Sequence, residues 1–317
     1  MNMKLADHLG HTLARHAHTD ERIHVLDGDL ADSDGALHFA RCHPGRFLMS
    51  GIAEQNMVSV AAGMAECGRR PWVFSFAAFL CYRAYDQVRV CLSQSRMPVT
   101  LVGSHAGGLS ARNGKTHAAP NDLALMLSLP DMAVWAPADA ADVDLAVDTT
   151  LDAKLPTYIR LPRRTFGAGE QLGGQAAPLR WLLPQRPLTL LATGLATHWA
   201  LEVAAVLSAR GVEVGVLHCA RLHPLPPLIE ELVGVRELIV IEDHQCLGGL
   251  ASLVVQLQPA CRVHSHGWPA NYPGKSGSDD ELRRHYGLSA QTLAEASAAF
   301  APYLGSHNSP ERFHCYP

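Results

Sequence analysis

Residues 47–87 read FLMSGIAEQNMVSVAAGMAECGRRPWVFSFAAFLCYRAYDQ. A short apolar run, Phe47–Met49, stops at Ser50-Gly51. Glu54 then opens a stretch of small, helix-compatible side chains that ends at Gly68. A second apolar run, Pro71–Phe76, leads into a helix-like segment carrying Phe79, Tyr82 and Tyr85. The pattern predicts strand, helix, strand, helix, with one acid at a strand-to-helix junction. Aromatics at i, i+3 and i+6 share roughly one helix face. By themselves these residues also suit a helix-start acid balancing the dipole above an aromatic core stripe.

The rest of the chain bounds the class. It has 317 residues, 48% hydrophobic and 18% charged, which suits an α/β protein of two ordinary domains. A formal net charge of −4 leaves no basic footprint for nucleic acid. The apolar runs are strand-sized and short of a membrane span. The N-terminus, MNMKLADHLGHTLARHAHTD, lacks a secretory apolar core. Eight cysteines form no C-x-x-C pair and read as reduced thiols, so a cytoplasmic location is expected.

Taken in order, residues 4–18 predict a helix and Ile23–Leu26 a strand. That strand runs into Asp27-Gly-Asp-Leu-Ala-Asp-Ser-Asp34. Four carboxylates in this loop invite a calcium reading, but the spacing misses the glycine and glutamate the loop needs. The alternative is a polar loop at the carboxyl end of a strand, where open α/β sheets place ligands. A strand at Pro98–Gly103 leads to Ser-His105-Ala-Gly-Gly-Leu-Ser-Ala-Arg112-Asn113-Gly-Lys115-Thr-His117. Its glycines let backbone approach a ligand closely; the plain alternative is a solvated loop. A helix at about 120–128, a strand at Ala133–Ala136 and a helix from Asp139 to about Leu151 follow. The strand in Pro156-Thr-Tyr-Ile-Arg160-Leu-Pro-Arg163 closes the first domain, 1–165. Residues 166–187, rich in Gly, Pro and Gln, predict a linker. A second α/β pattern fills 188–304, with strands at Leu188–Ala192, Val212–Leu217, Glu237–Glu242 and Arg262–His266 and helices between them. Gly305–Pro317 reads as a tail. The fold class is thus α/β, two doubly wound domains.

Gly51-Ile-Ala-Glu54-Gln-Asn-Met57 resembles the G-[IV]-x-E-x-x-M/A signature of the transketolase family, which uses thiamin diphosphate. The His105-to-His117 loop resembles that family's T-H-D-S-I-G-x-G-E-D-G-P-T-H, with the same separation of histidines. Glu242-Asp-His-Gln-Cys-Leu-Gly-Gly249 resembles the E-x-H-x-x-x-G-G element of its C-terminal domain, which is structural there, so His244 is not assigned to catalysis. The resemblance implies that Glu54 touches the aminopyrimidine and that Phe79, Tyr82 and Tyr85 stack around it. It makes Asp29 a cofactor-side contact and Ser33 a contact to substrate phosphate. His105 and His117 line the substrate channel and work as catalytic groups, Asn113 faces a substrate hydroxyl, and Arg163 grips a phosphate, with Arg160 the alternative.

The family's diphosphate domain carries a G-D-G motif that, with a downstream Asn, holds Mg2+ and diphosphate, and this chain has no such triplet. The resemblance therefore implies one half of a split transketolase whose N-terminal diphosphate-binding subunit is a separate chain, in an α2β2 complex. A 1-deoxyxylulose-5-phosphate synthase and a 2-oxoacid dehydrogenase β subunit share parts of the pattern, and a non-catalytic subunit of the same fold is the alternative of another class. Where the family's loop has Glu-Asp-Gly-Pro, this chain has Arg112-Asn113-Gly114-Lys115. That departure puts the ordinary sugar-phosphate range in question.

Overall fold

A computed structural model describes residues 3–167, 170–272 and 274–300; the side chains of 110–112, Arg112 among them, and the tail lie outside the described residues. The chain opens on β1 (Met3–Lys4), and the Leu5–His16 helix buries Leu5, Leu9 and Leu13 at i, i+4 spacing. Parallel strands follow: β2 (Ile23–Asp27), β3 (Phe47–Met49), β4 (Arg70–Phe76), β5 (Thr100–Ser104), β6 (Ala133–Trp135) and β7 (Thr157–Arg160). In space they run β6-β7-β5-β4-β2-β3. All of β4 beyond Arg70 is buried, as a sheet covered on both faces requires. This is the doubly wound layout that the sequence predicts.

The second half contributes β8 (Thr165–Phe166), which pairs with β1, then β9 (Leu179–Leu183), β10 (Leu188–Ala192), β11 (Gly215–Cys219), β12 (Arg221–His223), β13 (Glu237–Gln245) and β14 (Arg262–Trp268). Five of these form a sheet of order β14-β13-β10-β11-β9, parallel except for β9. The linker expected over 166–187 is therefore interrupted at both ends, by Phe166 in β8 and by β9. Two of its residues are tied inward: Arg180 is buried and pairs with Asp142 at 2.9 Å, and Trp181 Nε1 donates to Glu231 at 2.6 Å.

The two halves share structure. β12, from the second half, adds antiparallel to β6 and extends the first sheet. One apolar cluster unites Trp72, Phe74 and Ile159 with Trp199, Ile239 and Trp268, and another joins Leu101 and Tyr158 to Leu191 and Leu238. The helix expected from Asp139 runs Ala140–Leu151, with Asp139 Oδ1 accepting from the Asp142 N–H at 2.9 Å as its cap. A helix that the sequence reading missed, Asp279–His285, starts on a capping box between Ser278 and Glu281. Among the described residues no helix is long and apolar enough to cross a membrane.

Candidate active site

The sheet order explains why distant residues meet. The chain steps from β2 out to β3, then returns to β4 on the other side of β2, so the crevice lies beyond the carboxyl ends of these strands. Glu54 follows β3, Phe76 and Phe79 lie at and after the end of β4, and His105 follows β5. Gly51, at φ 69°, turns the chain off β3, and Glu54 becomes the first residue of the Glu54–Glu66 helix. The carboxylate is fully buried. Both of its oxygens accept from Arg83 Nη1, at 2.6 and 2.7 Å, in an ion pair.

The aromatic cluster differs from the one expected. Phe79–Arg83 winds as a π-helical turn, with the Ala84 N–H bonded to the Phe79 carbonyl five residues back, and Arg83 stays beside Phe79 four positions away. Arg83 thus lies over the Phe79 ring, 4.3 Å from its centroid. Phe79 also stacks on Phe76 at 5.7 Å and meets His117 edge-on at 5.3 Å. The tyrosines turn to the segment after the histidine loop instead. Tyr82 hydrogen-bonds to Asn121 through its hydroxyl, and Tyr85 OH donates to the Leu125 carbonyl at 3.1 Å. The resemblance implies that both tyrosines stack with Phe79 around the aminopyrimidine; here their hydroxyls are engaged on Asn121 and Leu125.

Phe76 pairs in register with Ser104, which sets the His105 ring 3.9 Å from it. His105 is buried with φ 54°, an uncommon left-handed conformation for a side-chain-bearing residue. The Ser104 hydroxyl donates to the Ser75 carbonyl, so it accepts from His105 Nδ1–H at 3.2 Å and leaves Nε2 with its lone pair. Burial, then the charges of Arg163, Lys4 and His117, pull the His105 pKa down to about 3, and the ring is neutral at physiological pH. His117 Nδ1 lies 2.8 Å from the Thr116 hydroxyl. Phe76, His105, Phe79 and His117 therefore form one ring cluster beside the Glu54–Arg83 pair.

The remaining candidates are spread around this centre. Asp29 is exposed at φ 70°, on a turn held by Asp27 Oδ1 accepting from the Leu30 N–H at 2.7 Å. Asp27 and Asp34 are buried together. Burial, and for Asp34 then the charge of Asp27, raises both above the usual carboxylate range. Ser33 is half-buried and its hydroxyl donates to Asp32. Asn113 and Lys115 are exposed on the loop. Arg163 is exposed and lines a cavity of about 480 Å³ that also touches Leu109, Trp199 and Arg283.

Arg160, the alternative phosphate ligand, is not among the residues lining that cavity. It is buried in β7, where Nε donates to Asp122 Oδ2 at 2.8 Å and Nη2 to the Asp243 carbonyl at 2.6 Å.

Residues 242–244 hold the histidine loop from the second domain. Glu242 accepts from the Leu250 and Ala251 N–H groups at 2.7 and 3.1 Å, and burial raises its pKa to about 7. Asp243 Oδ1 accepts from Gly108 N–H at 3.0 Å and Trp268 Nε1 at 2.6 Å. A Cβ at position 108 would lie 2.4 Å from the Trp268 ring, so only glycine allows this approach. His244 Nε2 accepts from Ala124 N–H at 3.2 Å while Nδ1 donates to the Gln245 carbonyl, and burial lowers it to about 4. The sequence reading missed Phe76, Arg83 and Asp243. Phe76 could have been found from its position at a strand end next to the ligand crevice, and Arg83 from its i, i+4 spacing to Phe79 on the expected helix.

Comparison with known proteins agrees with this layout. The family model for the transketolase pyrimidine binding domain matches residues 1–167, and that for the transketolase C-terminal domain matches 179–293. A putative transketolase C-terminal section from Methanocaldococcus jannaschii is 30% identical over 90% of this chain and 92% of its own length. A 6-deoxy-6-sulfo-D-fructose transketolase subunit, SqwH, from Clostridium sp. is 33% identical over 90% of each. The solved structure of a split gene transketolase, an inactive beta4 tetramer, superposes with a TM-score of 0.83 at 31% identity, over 94% of this chain and 98% of that one. The chain belongs to the transketolase family, of which it carries the pyrimidine-binding and C-terminal domains.

Proposed function

We propose that this chain is one subunit of a thiamin diphosphate-dependent transketolase, which moves a two-carbon ketol unit from a ketose phosphate to an aldehyde. It works only with a separate subunit that binds the diphosphate and Mg2+, in an α2β2 assembly. One observation carries the reading: a flat N–H donor, the Arg83 guanidinium, already lies on Phe79 with its hydrogen bonds on the buried Glu54. A seat that takes this group fits an aminopyrimidine edge.

When bound, thiamin diphosphate supplies the carbon nucleophile for cleaving a ketose. Glu54 would hold a proton at the pyrimidine ring nitrogen, and Phe76 and Phe79 would keep water from that edge. His105, being neutral, would accept a hydrogen bond from a substrate hydroxyl at Nε2, with His117 opposite; such contacts act on charge as it develops on oxygen. Arg163 would take the terminal phosphate with its fork of donors, Ser33 would assist it, and Asn113 would accept from a hydroxyl. Asp29 would approach the cofactor from the β2 turn.

Exposed Leu48, Met49 and Ile52, the last 72% exposed, border Glu54 and supply apolar area for the partner subunit. A relative solved as an inactive tetramer of one chain type supports the need for that partner. The relative acting on a sulfonated sugar supports an anion preference beyond phosphate, a carboxylate or a sulfonate, read by Arg112 and Lys115. The test is reconstitution. The lone chain is expected to bind thiamin diphosphate poorly and turn nothing over, and the partner with Mg2+ to restore both. Full activity of the lone chain in a metal-chelated assay would overturn the proposal.

A further inference from the structure

Glu54 and Phe79 are the groups on which the proposed function seats the pyrimidine, and in the free chain one side chain engages both. Arg83 Nη1 lies within 2.7 Å of both Glu54 oxygens, and the guanidinium carbon is 4.3 Å from the Phe79 centroid. A guanidinium is planar, donates N–H bonds in its plane and stacks on rings. It therefore occupies the Phe79 ring face and the Glu54 carboxyl edge that an aminopyrimidine would use, donating to Glu54 where the pyrimidine ring nitrogen would share the proton Glu54 holds. Two flat groups cannot share one ring face and one carboxylate edge, so occupancy by Arg83 and by ligand exclude each other.

The side chain is built to leave. It is 42% exposed while Glu54 is fully buried, so the cation is on the open side of the pair. Its remaining nitrogens make no hydrogen bond to a described residue, and the Glu54 contact is its single polar tether. Until a ligand arrives, the pair also keeps a buried carboxylate compensated, which a chain without its cofactor needs. We propose that Arg83 is an internal competitor that fills the pyrimidine seat between Glu54 and Phe79 and swings outward when thiamin diphosphate binds, so that this residue sets cofactor affinity and association rate. The proposal rests on the cofactor reading above.

The experiment uses the full chain reconstituted with its diphosphate-binding subunit, with thiamin diphosphate titrated calorimetrically in the presence of Mg2+ and association followed by stopped flow. Arg83→Met removes the donors and the flat face while keeping an apolar stem. It is expected to tighten binding at least tenfold, chiefly through a faster association rate. Arg83→Lys keeps the charge without the planar face and is expected to fall between the two; it also serves as the folded control should the methionine variant lose its thermal transition. Equal affinities for native and variant chains would overturn the competitor role and leave the cofactor reading standing. Weaker binding by Arg83→Met would overturn it differently, making Arg83 a ligand contact. Binding by none of the reconstituted chains would overturn the cofactor reading and this proposal together.

Discussion

Arg160 and Arg163 are three residues apart, and the structure gives them opposite fates that a pair of substitutions separates. Arg160 Nε and the Tyr158 hydroxyl both donate to Asp122 Oδ2, at 2.8 and 2.7 Å, and Arg160 Nη2 donates to the Asp243 carbonyl. Arg160 is 3% exposed and Asp122 fully buried. Arg160→Met leaves a carboxylate in the interior with one neutral donor, which costs about 3–5 kcal/mol. The carbonyl stripped of its donor adds about 1 kcal/mol. Arg163 is exposed, and Arg163→Met is expected to stay within about 0.5 kcal/mol of the parent.

The assay is urea unfolding followed by far-ultraviolet circular dichroism and by tryptophan fluorescence. Because Arg160 ties β7 to the second domain, Arg160→Met is also expected to lower the cooperativity of the transition, so that the two probes no longer coincide. Adding Asp122→Asn should recover much of the loss, since removing both charges of a buried pair is far less costly than removing one. If Arg160→Met costs under about 1 kcal/mol and raises KM for a phosphorylated ketose while Arg163→Met does not, burial has been misread and Arg160 is the anion ligand.

Three further outcomes are expected. Glu54→Gln should leave cofactor binding nearly intact and cut turnover by about a hundredfold or more; deuterium exchange at the cofactor's reactive carbon at the parent rate would show that Glu54 does not move the proton. Burial holds the Glu242 pKa near 7 in the folded chain against 4.5 for the free group, so the folded state keeps a proton that the unfolded chain has lost. Its stabilising effect is full below about 4.5 and is lost as pH rises through 7. Glu242→Gln, which cannot ionise, should therefore gain on the parent by up to about 3 kcal/mol between pH 4.5 and 8 in denaturation measurements, and a constant difference would refute the shift. Arg112→Glu combined with Lys115→Pro should lower kcat/KM on the true anionic substrate at least tenfold, about 1.4 kcal/mol, relative to its effect on xylulose 5-phosphate, and equal values would mean that the loop charges do not read substrate.

Much of the site was legible because its residues interrupt a pattern. Glu54 is one acid at the mouth of a small-residue helix, and His105 and His117 bracket a glycine-rich loop whose expected lack of helix is corrected by a 3-10 helix over Gly108–Asn113. Residues that obey the pattern stayed hidden. Phe76 ends an apolar strand and reads as core until the register with Ser104 puts it against His105. Arg83 reads as a helix-surface cation, although its i, i+4 spacing already sets it beside Phe79. Arg180 sits in a Gly- and Pro-rich stretch whose composition says solvent, yet it is buried against Asp139 and Asp142. Ser278-Asp-Asp-Glu281 was different: its capping-box signature was available in the sequence and marks the helix that was missed.

The second domain contributes to the site through three consecutive residues whose tasks no single motif states. At the end of β13, Glu242 takes the first N–H groups of the Leu250–Gln256 helix, Asp243 takes the Gly108 N–H of the histidine loop, and His244 takes the Ala124 N–H of the helix that follows that loop. Asp243 and His244 thus brace the loop from both of its ends, and Arg160 closes the brace through the Asp243 carbonyl. His105 holds a left-handed backbone, which costs about 1–3 kcal/mol and persists only where surrounding contacts over-determine it. The Leu161 N–H bond to the Gly103 carbonyl supplies such a contact before it, and the Ala106 N–H bond to the Leu161 carbonyl and the Asp243 bond to Gly108 supply them after it. The domain behind the site is in this sense what allows the histidine loop to keep a conformation it would not choose alone.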